Sequence, residues 1–195
     1  AATERKVSNR DPWKVLSAEV VYDYLPYLRV EKQKVLLPDG RRIEDYHKLV
    51  MPSFCVVCAL TEASDLILLR GYKHGIGRIE LSLPGGFIES DEDPLVAAKR
   101  ELIEETGYSA EEWQPLGDFI PHGNYGCGRA YVFIAKKARR EQNPNSGDLE
   151  ATEVEVVKMG KVQESIRDGE ISSLSAVAAI GLATQHLQLA SRTTP

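Results

Sequence analysis

A chain of 195 residues is long enough for one ordinary domain, or for one domain with a sizeable extension. Its residues are 43% hydrophobic and 27% charged, which permits a buried core and excludes global disorder. A formal net charge of -5 argues against a protein whose main work is gripping nucleic acid. It leaves room for an anionic small substrate, because a bound divalent metal reverses the local field.

In chain order, the first residues, Ala1 to Lys6, lead into no apolar signal stretch. From Trp13 to Val50 the pattern is strand-rich. Val15–Tyr22 and Leu28–Leu37 carry many β-branched and aromatic residues, and the turn Pro38-Asp39-Gly40 sends the chain back as a hairpin. Residues 1–51 are therefore expected to form an N-terminal antiparallel β extension, and residues 52–195 the main domain. So small a sheet is marginal alone and needs something to pack against.

The main domain opens with predicted strands at Phe54–Leu60, Leu66–Arg70 and Arg78–Leu83. In the last, Ile79, Leu81 and Leu83 are expected to face one way, with Glu80 and Ser82 the other. Cys55 and Cys58 lie an odd number of residues apart on one strand, so their side chains take opposite faces and cannot chelate one ion. With Cys127 they are too few for a disulfide framework, and a reducing, cytoplasmic setting is expected. The apolar run Phe54–Leu60 falls far short of the ~20 residues of a membrane helix, so no membrane partner is expected.

Pro84-Gly85-Gly86 ends the third strand. The spacing then predicts a helix over Pro94–Thr106 and strands at Leu116–Ile120 and Tyr131–Ala135. The polar segment Lys136–Gly147 reads as a mobile loop, with Lys136 to Arg140 a solvated strand exit. A strand at Val154–Val157 and helices at Val162–Asp168 and Leu174–Ala190 complete the chain, with Gly169 stopping the first of these helices. Strands and helices in this order imply an α/β fold, a central sheet with helices on both faces.

Chemistry concentrates between Gly85 and Tyr108. Asp93 is a good N-cap, Pro94 suits the first helical position, and Gly107 suits the C-terminal stop. Inside these brackets Glu101, Glu104 and Glu105 stand at i, i+3 and i+4, within about a third of the helix circumference. Leu95, Ala98 and Leu102 form the adjoining apolar stripe that would pack on the sheet. Three like charges so placed cost a few tenths of a kcal/mol per pair, and two lie near the negative end of the helix dipole. Either the face is a solvated one partly neutralised by Lys99 and Arg100, or a cation belongs there, and clustered oxygen ligands suit Mg2+ or Mn2+.

The whole segment is Gly86, five residues, Glu92, seven residues, then Arg100-Glu101-Leu102-Ile103-Glu104-Glu105-Thr106-Gly107-Tyr108. It resembles the Nudix box at every defined position. The resemblance implies an α/β/α sandwich with a mixed central sheet, and a metal site made by Glu101, Glu104, Glu105 and the carbonyl of Gly85. Arg100 would orient one of those glutamates, Glu104 and Arg100 would take part in catalysis, and Glu92 would be structural. Mg2+ is the implied cofactor, with Mn2+ able to substitute. A metal-activated water would attack one phosphorus of a diphosphate.

The hairpin extension, the Leu-Leu-Arg70 strand and the run Gly169–Val177 resemble ADP-ribose pyrophosphatases and related nucleotide-sugar hydrolases. That likeness implies a homodimer that exchanges its extensions, and conversion of ADP-ribose to AMP and ribose 5-phosphate. It also implies a catalytic base on the loop before the last strand, best fitted by Glu150, with Asp148 and Glu153 as rivals. Arg70 and Gly86 would meet the substrate, unless Arg70 serves a surface salt bridge. Alternatives are another nucleoside diphosphate-sugar, a dinucleoside polyphosphate, or a nucleotide-sensing module without catalysis.

Three departures set the chain apart from the group. Ser82 stands where a glutamate is usual, Gly71-Tyr72-Lys73 replaces Gln-Tyr-Arg, and Gly123 occupies the place of a marker proline. His47, His74, His122 and His186 share no metal-ligand spacing, and Trp13 and Trp113 read as packing anchors.

Overall fold

The computed structural model describes residues 11–147 and 151–193. They fall into two compact units. The first runs to Pro52 and includes His122–Gly128; the second comprises Ser53–Pro121 and the chain from Arg129 onward.

The first unit is a three-stranded antiparallel sheet of β1 (Lys14–Tyr24), β2 (Leu28–Leu36) and β3 (Arg42–Val50), in that order. The turn between β2 and β3 forms where Pro38-Asp39-Gly40 places it. The Asp39 carboxylate accepts the Arg41 backbone N–H at 3.0 Å, and Gly40 takes the left-handed region at φ 87°. That N–H and the Arg41 guanidinium hold the Asp39 carboxyl below the usual carboxylate range. β1 is an edge strand, exposed along its whole length despite its apolar content.

The second unit contains β4 (Phe54–Thr61), β5 (Leu66–Lys73), β6 (Arg78–Ser82), α1 (Pro94–Thr106), β7 (Tyr108–Phe119), β8 (Ala130–Arg140), β9 (Thr152–Val157), α2 (Met159–Arg167) and α3 (Leu174–Thr193). Its strands run β6-β5-β4-β8-β7, with β9 added on β5. β4 and β8 pair in parallel and the other pairs are antiparallel, so the sheet is mixed.

The period-2 alternation of β4 divides the core in two. Val56, Cys58 and Leu60 pack with Val162 of α2 and with Ala179 and Ile180 of α3. Cys55, Val57 and Ala59 pack with Ala97, Ala98 and Leu102 of α1. Helices thus cover both faces, giving the α/β/α sandwich. Cys55 and Cys58 take opposite faces as their spacing requires, and burial pushes their thiols up to about 11 and about 12. Among the described residues no helix is long and apolar enough to cross a membrane.

Three expectations about elements need correction. First, β6 does not alternate cleanly: Ile79 is 64% exposed, whereas Glu80 is only 5% exposed. Periodicity assumed that charge faces water, but the Glu80 carboxylate is satisfied inside by the Ser172 hydroxyl at 2.5 Å. Second, the strand expected at Leu116 begins already at Tyr108. Third, Lys136–Arg140 is strand rather than loop, because Tyr108 pairs with Arg140 and Glu112 with Lys136 in one long hairpin ladder. The polar residues that suggested a loop pair across it, Lys137 with Glu112 at 2.5 Å and Arg139 with Glu111 at 3.3 Å. Such exposed pairs contribute little energy, so the backbone ladder carries the stability.

Candidate functional site

Helix α1 has the bounds its capping residues dictate. The Asp93 carboxylate accepts the backbone N–H groups of Leu95 (2.9 Å) and Val96 (3.3 Å), and Pro94 occupies the first turn. Gly107 closes the helix in the left-handed region at φ 74°, its N–H bonded to the Ile103 carbonyl at 2.9 Å. A Cβ there would run into the Gln142 carbonyl. Gly107→Ala is therefore expected to cost about 2 kcal/mol or more, read from urea unfolding midpoints at constant slope. A loss below about 0.5 kcal/mol would show that the strained backbone is tolerated.

Opposite α1 lies the segment that continues β6. Its carbonyls at Pro84 and Gly86 accept the N–H groups of Val57 and Cys55, each at 2.9 Å, so it lies flat against β4. Gly85 adopts φ 149°, and a Cβ there would collide with the Cys55 carbonyl. This close approach directs the Gly85 N–H at the Glu105 carboxylate, 2.7 Å away. At Gly86 a Cβ would stand 2.6 Å from Cδ of Glu101. The two glycines therefore let the Glu101 and Glu105 carboxylates close on the turn.

Arg100 gathers the rest. Its Nε and Nη2 grip both oxygens of Glu92 at 3.0 Å each, and Nη1 donates to Glu101 at 2.8 Å and Glu104 at 3.3 Å. Nη2 also donates to the Phe87 carbonyl at 3.2 Å. The guanidinium holds the Glu92 carboxyl below the usual glutamate range, helped by the Glu89 backbone N–H. In return, donating to Glu92 raises the pKa of Arg100 above its ordinary value.

Glu101, Glu104, Glu105 and the Gly85 carbonyl make an all-oxygen donor set on a rigid turn and helix, the chemistry that suits a hard divalent cation. Among the described residues, however, no three His, Cys, Asp or Glu side chains already converge as a metal cage. Glu101 and Glu104 face Arg100, and Glu105 faces the Gly85 N–H.

Residues 50–175 match the family model described as NUDIX domain, and residues 13–49 that of the nucleoside diphosphate sugar hydrolase N-terminal domain. The chain belongs to the Nudix family. It is 26% identical over 159 residues to the ADP-ribose pyrophosphatase of Bacillus subtilis, covering 80% of this chain and 83% of that protein. It is 48% identical over 135 residues to the ADP-sugar pyrophosphatase of Mus musculus, covering 62% of this chain and 60% of that one. The crystal structure of an ADP compounds hydrolase shares the fold, with a TM-score of 0.83 at 22% identity over 94% of this chain and 98% of that one.

In this Nudix hydrolase the structure brings Gly85, Gly86, Arg100, Glu101, Glu104 and Glu105 together, and Arg70 has acidic partners of its own. Arg70 sits on β5, its guanidinium bonded to both oxygens of Glu155 at 2.5 and 3.3 Å and 3.6 Å from Glu170. Those partners raise its pKa, the bond to Glu155 most of all. Of the two roles open to Arg70, the geometry displays the salt bridge. Glu153 faces Arg70 in the β5–β9 ladder. Glu150 and Asp148 lie outside the described residues.

Sequence reasoning missed Glu80, Glu155 and Glu170, which tie β5, β6 and β9 to the α2–α3 connection. The bonds from Arg70 to Glu155 and from Ser172 to Glu80, and the Arg70–Glu170 pair, span 85 to 100 residues along the chain, beyond the reach of any local pattern. It also missed Asn145, whose backbone N–H donates to the Glu104 carbonyl at 2.7 Å and ties the chain after β8 to the acidic helix.

Proposed function

We propose that this Nudix hydrolase cuts the diphosphate bridge of a nucleoside diphosphate-sugar, ADP-ribose foremost, releasing AMP and ribose 5-phosphate. The carrying observation is the glycine turn closed on the acidic helix, with the Gly85 N–H on Glu105 and Gly86 against Glu101. The relatives named for ADP-ribose and ADP-sugars support an adenosine diphosphate substrate. A relative named GDP-mannose pyrophosphatase, from Cronobacter sakazakii, keeps a guanosine diphosphate sugar as the second reading.

On this reading Glu101, Glu104, Glu105 and the Gly85 carbonyl would hold Mg2+, with Mn2+ able to substitute. The bound cation would neutralise the diphosphate and acidify water at the phosphorus. Arg100 keeps Glu101 and Glu104 aimed by its charge-assisted bonds. The Gly86 backbone would meet the diphosphate, and Arg70 would contact phosphate by yielding its bonds to Glu155. Glu150 would take the proton of the attacking water, Asp148 and Glu153 being the rivals for that role.

The test is a substrate panel with Mg2+, Mn2+ or EDTA, read by identifying both products. Nucleoside monophosphate plus sugar phosphate should appear with either metal and vanish with EDTA. Preference for free nucleoside triphosphates, or full turnover in EDTA, would overturn the assignment.

We also propose a cytoplasmic homodimer joined through the extension. Val15, Val20, Val21, Tyr22 and Tyr24 of edge strand β1 are 48 to 61% exposed, an apolar edge that a lone chain would leave open to association. Light scattering should report twice the chain mass, and Val21→Glu should shift the equilibrium toward the single chain. A monomeric parent protein at tens of micromolar would remove this proposal.

A further inference from the structure

Two features singled out in the sequence found no use above: the serine at position 82, and the serines of the run Gly169–Val177. The structure brings both to one cavity of about 300 Å3, at the small end of the range for ligand sites. Gly85 and Gly86 form one side, Phe54 and Val56 of β4 the floor, and Ser173, Ser175 and Ala176 at the start of α3 the far wall. The same glycine turn closes on Glu105 and Glu101. A diphosphate held over those glutamates would thus have its substituent beside the cavity.

The cavity's chemistry selects what enters. Among the described residues its lining holds no Asp, Glu, Lys, Arg or His, so none of them compensates a second charge on the entering group. It offers hydroxyls against apolar walls. Ser173 and Ser175 lie with their oxygens 2.8 Å apart, so one hydroxyl donates to the other, and the pair keeps one proton and several lone pairs for a ligand. Ser82 donates only a long 3.4 Å bond to the Leu69 carbonyl. A glutamate at this position would bring both bulk and charge to the wall.

The far wall is held in place by β6. The Glu80 carboxylate takes the Ser172 hydroxyl at 2.5 Å, and the Leu81 N–H donates to the Glu170 carbonyl at 2.8 Å. One short strand therefore anchors the serine wall and leads directly into the glycine turn.

We propose that this cavity is the specificity subsite for the uncharged, hydroxyl-bearing sugar beyond the diphosphate, read by Ser82, Ser173 and Ser175. The inference rests on the diphosphate-hydrolase reading and deepens it. Glu80 acts as a positioning residue for the wall.

The experiment compares ADP-ribose and ADP-glucose with the methyl ester of ADP, which keeps the nucleotide and diphosphate but lacks the sugar. The parent enzyme should prefer the sugars. In S173A/S175A the kcat/KM ratio of ADP-ribose to the methyl ester should fall about tenfold, mainly through KM, because hydroxyl contacts are lost. Ser82→Glu should lower the ratio further. Ser82→Ala, which adds neither bulk nor charge, serves if the larger change prevents folding, and should lower the ratio less. Glu80→Ala, which removes the acceptor of the Ser172 hydroxyl, should move the ratio in the same direction. Unchanged ratios in folded variants would overturn the subsite, as would selectivity that moves between ADP-glucose and GDP-glucose instead, since the cavity would then hold the base. Absence of diphosphate cleavage by the parent enzyme on every substrate would overturn the functional reading, a result distinguishable from both.

Discussion

Replacing Glu105 with glutamine is expected to lower kcat for ADP-ribose by about 10³-fold, about 4 kcal/mol of transition-state stabilisation. The melting temperature should move by no more than about 3 °C. The asymmetry follows from the two jobs of this side chain. As a structural element it accepts the Gly85 N–H at 2.7 Å, and the glutamine carbonyl can accept the same bond. The helix stays bracketed by Asp93 and Gly107, and Leu102 stays fully buried on the adjoining stripe of α1. Removing one charge even relieves repulsion toward Glu101 one turn back, worth a few tenths of a kcal/mol. Only the charge that the proposed site would offer a divalent cation is lost. Steady-state kinetics across a Mg2+ series, with calorimetry for stability, separates the two jobs. A variant with parent turnover would mean that the acidic face is a solvated one, and the proposed chemistry would fall with it.

The same contrast between local and distant causes explains what could be read from the chain. Helix α1 was legible to the residue because its start and stop signals, Asp93-Pro94 and Gly107, act within four positions of the backbone groups they satisfy. The run Phe54–Leu60 was legible as a buried strand, and its odd–even alternation already separated Cys55 from Cys58. Its partner was not. Phe54 pairs with Ala130 in parallel register, a choice made by the sheet as a whole. The ends of β7 and β8 were lost because Lys137 and Arg139 read as loop residues until each finds its opposite, Glu112 and Glu111, across the ladder. Glu80 went unrecognised for a related reason: its burial depends on Ser172, and no periodicity reports a partner that far away. At the site, spacing identified the carboxylates, but not that Arg100 would hold three of them at once.

Arg100 is therefore the second position where a large effect is expected, and lysine is the informative replacement. A guanidinium has five N–H donors, and here five bonds are made, two to Glu92, one each to Glu101 and Glu104, and one to the Phe87 carbonyl. Lysine keeps the charge and cannot reproduce the fork. Arg100→Lys should lower kcat by about 10- to 100-fold, the usual range when a group that orients metal ligands is lost. Stability should respond in a way that depends on pH. Because Arg100 holds the Glu92 carboxyl below its ordinary range, the pair's contribution is full above the unfolded value of about 4.3. It is lost as pH falls from there through the lowered folded value. In the lysine variant the folded value should lie closer to the unfolded one, so the acid-induced loss should be smaller and begin from a lower plateau. Melting curves between pH 3 and pH 7 would display this. Should Arg100→Lys keep both the parent kcat and the parent acid profile, positive charge alone would suffice at position 100. The aim of the guanidinium at Glu101 and Glu104 would then have no part in the reaction.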